Sequence, residues 1–128
     1  MFNPFPPAQL VGMLSNVLRE SAGWSRPLEP FQTGQLKSAS STGRFAAAEI
    51  ARAGPVLRDF QLALRDVLPG APEEASVAEL GEFLCERLAA LRREDTDEAR
   101  RRQRALHGLL RDLADAEIEI LLGAYEHA

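Results

Sequence analysis

The sequence predicts an all-α protein, a single-domain antiparallel bundle of about five helices over residues 1–128. Three observations carry that expectation. Five stretches place apolar residues at intervals of three and four, and none alternates as a strand does. The connections between them are short and punctuated by proline and glycine. The 128 residues, 45% hydrophobic and 27% charged, suffice for one core and are too apolar for wholesale disorder.

Residues 1–6 are expected to form an N-terminal arm, flexible or packed. The first helix is predicted over Pro7 to Glu20, with Leu10, Leu14, Val17 and Leu18 on one face. Pro7 is tolerated in a first turn, and Gly23 is placed to end the helix in a left-handed cap. A linker from Trp24 to Gln32 holds Pro27 and Pro30, and Trp24 is expected to plug an end of the bundle. The second helix, Thr33 to Ala53, carries the stripe Leu36, Ala39, Gly43, Ala46, Ile50 and Ala53. Its small residues allow another backbone to approach closely. Gly54-Pro55 predicts a tight corner with a positive φ at Gly54, because glycine suits C′ and proline suits the first turn of a new helix.

The third helix, Pro55 to Leu68, shows Val56, Leu57, Phe60, Leu64 and Val67 before Pro69-Gly70-Ala71-Pro72 ends it. Ser76 and Glu79 form a capping box that opens the fourth helix, which continues through Val77, Leu80, Leu84, Leu88 and Leu91 to Arg93. Asp95-Thr96-Asp97-Glu98 places acidic groups at the positive end of a fifth helix, Asp97 to Glu126. The predicted core is Leu14, Leu36, Ala39, Gly43, Ala46, Ile50, Phe60, Leu64, Leu84, Leu88, Leu110 and Leu113.

Composition narrows the function. A single cysteine, Cys85, excludes an intramolecular disulfide framework and a cysteine-based metal centre. The histidines, His107 and His127, are too few for most histidine-rich metal sites, and the Glu-x-x-His spacing of a di-metal helix pair is absent. No credible base accompanies a serine or Cys85, so the expectation is a protein without catalysis, cofactor or metal. No apolar run nears the roughly 18 residues of a membrane span. The opening Met1-Phe2-Asn3-Pro4-Phe5 has no basic region leading into an apolar stretch, which points to the cytoplasm.

The net charge of −4 disfavours nucleic acid as a partner. Two motifs that suggest otherwise fail on spacing. Gly34 to Arg44 has its glycines nine positions apart with Lys37 ahead of the second, which is not the phosphate-cradling loop. Around Gly54 the position four residues earlier is the bulky Ile50, where a helix-turn-helix needs a small residue. The basic patch Arg92, Arg93, Arg100, Arg101 and Arg104 is the candidate for an anionic partner. Asp97–Arg101 and Glu98–Arg102 stand at i, i+4 in the favourable order, and no aromatic is interleaved to stack on bases. A self-paired solvated face is the preferred reading, with a nucleic-acid-associated regulator as the alternative.

The last helix carries the remaining candidates. Gln103 and Glu117 fall on its inward arc, where a buried carboxylate needs a partner; Arg44 or Arg87 could supply one. A small-ligand site around Glu117 is the other alternative. Leu106, Leu113, Ile120 and Ala124 point inward, while Ile118, Leu122 and Tyr125 lie ~100° or more away and Leu121 bridges the two arcs. A bundle-edge helix needs one apolar face, not two. The second face predicts a homodimer, in preference to coverage by Phe2 and Phe5 of the arm. The leading expectation is a non-catalytic protein–protein interaction or assembly protein that self-associates.

Overall fold

The computed structural model describes residues 5–126, the side chains of Tyr125 and Glu126 excepted. Among the described residues all regular structure is helical, in four helices: α1 (Pro7–Ser21), α2 (Pro30–Val67), α3 (Val77–Arg93) and α4 (Asp97–Glu126). The described residues form two compact units, one of residues 53–119 and one of residues 5–52 together with 120–126.

Four helices stand where five were expected because Gly54-Pro55 does not turn. α2 runs through it with Pro55 in its interior, and the positive φ expected at Gly54 is found only at Gly70. Proline disfavours helical backbone at the preceding residue through a clash with that residue's Cβ. Gly54 has no Cβ, so it relieves part of this clash and lets the helix continue. The ring still removes one N–H from the hydrogen-bond ladder at Ala51.

In the unit of residues 5–52 and 120–126, Leu10, Ala46 and Ile120 are buried. Leu14, Leu36, Ala39 and Gly43 are half-buried. A Cβ on Gly43 would lie 3.4 Å from Leu14 Cδ1, so the Leu14 side chain of α1 packs against α2 at Gly43. Two stripe residues are not inward. Ile50 is 61% exposed and Leu18 62%. Leu18 sits about 80° around α1 from Leu10, at the margin of its buried arc. On α2, Ala46 and Ala53 turn inward while Ile50 falls to the side. Gly23 does not adopt the left-handed cap expected of it. α1 closes instead on Ala22 in right-handed conformation, and the Gly23 N–H donates to Glu20 O at 3.0 Å. α2 begins three residues before the expected Thr33, because Pro30 fits a first turn and Gln32 Oε1 accepts from the Glu29 N–H at 2.9 Å. Trp24 is half-buried. On α4, the Arg52 guanidinium lies against Gly123 so closely that a Cβ there would be 2.6 Å from Nη1.

In the unit of residues 53–119, the core is Phe60, Leu64 and Leu68 of the α2 end, Ala71, Leu80, Leu84 and Leu91 around α3, and Ala99, Leu106 and Leu113 of α4. Leu88 and Leu110 are half-buried. Gly70, at φ +101°, carries the turn after α2. Arg65 pairs with Glu73 at 2.7 Å and Gln61 Nε2 donates to Ala75 O at 3.4 Å, which ties the following loop back to α2. The capping box is complete: the Glu79 N–H donates to Ser76 Oγ at 3.2 Å and the Ser76 N–H to Glu79 Oε2 at 2.8 Å. Thr96 caps α4, its Oγ1 accepting from the Ala99 N–H at 3.1 Å.

Candidate interaction surface

α4 is the helix on which the sequence placed most of its candidates. Leu106, Leu113 and Ile120, at intervals of seven, are buried and define its inner side. Ile118 and Leu122 stand one turn apart more than ~100° from that side. They are 53% and 58% exposed, and Leu121, between the two arcs, is 39% exposed. The two-faced character read from the sequence is therefore present in these three side chains. The backbone of Tyr125 continues the same helix, and its side chain lies outside the described residues. Asp112, Asp115 and Glu119 keep the exposed polar strip between the arcs. An apolar side chain left in water forfeits roughly 25 cal/mol for each Å² it could bury, so two neighbouring exposed aliphatics are a surface with something to gain from contact.

The two polar residues expected to be buried are not. Gln103 and Glu117 are half-buried, and no polar or charged residue is buried among those described. Both lie at the margin of the inward arc, about 30° or more from Leu113, where a long side chain carries its polar end outward. Glu117 is engaged in an interaction of its own. Arg44 is exposed, and the Arg87 guanidinium lies 5.6 Å from the Phe83 ring centroid, over its face.

The arginine patch is exposed, and Arg100 and Arg101 within it are self-paired. Arg100 contacts Asp95 at 2.6 Å and Asp97 at 2.8 Å, Arg101 contacts Glu98 at 2.8 Å, and Arg102 contacts Glu98 at 3.1 Å. The expected Glu98–Arg102 pair forms. Asp97 meets Arg100 instead of Arg101, an i, i+3 pair in place of the i, i+4 pair. Hydrogen bonds from Arg101 and then Arg102 hold the Glu98 carboxyl below its ordinary range. Arg93 donates to Ala89 O at 3.2 Å, and Arg92, Arg93 and Arg104 have no ion pair among the described residues. Three guanidiniums without a carboxylate are a thin footing for a polyanion, whose binding scales with the phosphates neutralised.

Cys85 and His107 are exposed, and His127 lies outside the described residues. Among the described residues no three His, Cys, Asp or Glu side chains gather in a metal-binding group. No helix among the described residues is long and apolar enough to cross a membrane. The exposed apolar residues of the N-terminal half, Val11, Met13 and Phe31, were not singled out from the sequence. Periodicity alone marks which residues are apolar at helical spacing and not how wide an arc the neighbours cover. Compared with known proteins, the chain matches no family model, no curated protein and no solved structure.

Proposed function

We propose that this is a non-catalytic helical interaction protein that pairs with a second copy of itself through the outer face of α4. The observation that carries the reading is the exposure of Ile118 and Leu122, neighbours at i, i+4 on the side of α4 opposite its buried residues. Two further points support it. Two of the five arginines that would serve an anionic partner, Arg100 and Arg101, are committed to carboxylates within about a turn. A helix face is also readily self-complementary, since a twofold axis across it sets each apolar side chain against the same patch of the other copy.

Mass measurement in solution over a range of concentrations tests the proposal. The wild-type protein should be a dimer, and Ile118→Glu with Leu122→Glu should return it to a monomer without loss of helical content. A wild-type protein already monomeric at high micromolar concentration overturns the reading. So does a dimer that survives the double substitution.

A further inference from the structure

We propose that the cleft between α2 and α4 in the unit of residues 53–119 docks a basic amphipathic helix from another protein. One apolar side chain of that helix enters the cleft, and its lysine or arginine neighbours pair with Asp59 and Asp112. The cleft holds about 290 Å³; Phe60 and Leu113 form its floor, Ala63 and Ala116 leave the space open, and Asp59 and Asp112 flank it. That volume sits at the small end of the roughly 300–1,000 Å³ of small-molecule sites, and it suits a single anchoring side chain.

Charge selects the occupant. Asp59 on α2 and Asp112 on α4 are exposed and have no ion-pair or hydrogen-bond partner among the described residues. Other acids of this unit, Glu82, Glu86 and Asp115 among them, are likewise without an ion pair, and what sets Asp59 and Asp112 apart is their place at the cleft. Two turns along the same helix faces stand two more exposed acids, Asp66 beyond Asp59 and Glu119 beyond Asp112. The cleft is thus apolar at its floor and bordered by acidic residues on both helices. Arg58 and Arg111, the sequence neighbours of the two aspartates, lie about 100° around their helices and do not neutralise this side. A nucleic acid or an acidic peptide would be repelled, and a simple cation would leave the apolar floor unused. A helix with basic residues beside a leucine-like anchor satisfies both parts. The cleft faces away from Ile118 and Leu122, so it is separate from the self-association face.

The test uses the full chain and two dye-labelled synthetic helices, one of leucine and lysine and the other of leucine and glutamate, followed by fluorescence anisotropy. The leucine–lysine helix should bind in the micromolar range and the leucine–glutamate helix should not. Asp59→Asn with Asp112→Asn should weaken binding about tenfold or more, and Ala116→Leu, which fills the cleft, should abolish it with helical content unchanged. Ile118→Glu with Leu122→Glu should leave binding intact. The proposal fails if the leucine–lysine helix does not bind, or if both helices bind alike. It fails equally if the double asparagine variant binds as wild type. Should that variant lower the protein's own mass in solution while the peptide still binds, the occupant is a second copy and the proposal is wrong.

Discussion

Replacing Pro55 by alanine should stabilise the protein, because α2 runs through that position as one helix. Proline in a helix interior costs about 3 kcal/mol relative to alanine, through the lost N–H and the clash with the carbonyl four residues back. The substitution also frees the unfolded chain, which takes back about 0.4–1 kcal/mol. Pro55 is exposed, so no packing is lost. The net gain is about 2 kcal/mol. Once the ring is gone, Gly54→Ala should add up to about 1 kcal/mol, since the new Cβ meets only Arg58 Nη1 at 3.8 Å, an ordinary contact. For a chain of this size the pair should raise Tm by about 10 °C, measured by thermal unfolding followed by circular dichroism. A corner with left-handed Gly54 would reverse the sign for Gly54→Ala, and a fall in Tm for either substitution would refute the continuous helix.

Gly43→Leu should lower stability by about 1–3 kcal/mol, since a Cβ there already reaches Leu14 Cδ1 at 3.4 Å, and chemical denaturation will read the change. Leu64→Ala should cost about 2–5 kcal/mol at a fully buried site, whereas Ile50→Ala, at 61% exposure, should cost well under half as much; equal losses would place Ile50 in a core. Ser76→Ala should cost about 1 kcal/mol through loss of the α3 N-cap, seen as a lower Tm. Hydrogen bonds from the Ser76 backbone and then its hydroxyl hold Glu79 below its ordinary value of 4.5. Its contribution is therefore present above pH 4.5 and lost as pH falls through the lowered value, and Glu79→Gln should flatten that part of the acid-unfolding profile.

The parts of the fold legible in the sequence were those fixed by local chemistry. Ser76 with Glu79, Pro7 at a helix start, the acidic residues at Asp97 and the Pro69–Pro72 run set their boundaries through bonds or sterics among neighbours, and α1, α3 and α4 begin, and α2 ends, within a residue or two of where these signals put them. Gly54-Pro55 was misread because the same dipeptide serves a corner or a relieved helix interior, and only the packing on both sides decides between them. Burial at the margins of an arc was illegible for the same reason. Leu18, Ile50, Gln103 and Glu117 all keep helical phase, and their exposure depends on how far a neighbouring helix wraps around them. On α4 the apolar excess at Ile118, Leu121 and Leu122 was readable, because a helix needs no second apolar face for its own packing. The cleft between Asp59 and Asp112 was not, since it depends on two residues distant in sequence lying across from each other.

The chain order of the two units has a consequence for how the protein forms. Residues 53–119 are one uninterrupted stretch, while the other unit draws on residues 5–52 and 120–126, which bracket it. The inner stretch joins its helices by short loops, and its α2–α4 contacts span about fifty positions, so it closes shorter loops than the other unit and assembles faster. The bracketing unit must bring the end of α4 to residues about seventy positions earlier, as where Arg52 lies against Gly123, and loop closure over such a distance carries a larger entropy cost. Synthesis on the ribosome ordinarily lets the N-terminal part fold first. Here α1 and the first half of α2 emerge first and complete their unit last, when the final turns of α4 arrive. Throughout elongation the small-residue face of α2 and the apolar face of α1 stand without the segment that finishes their core, which makes the nascent N-terminal half the part most in need of shielding.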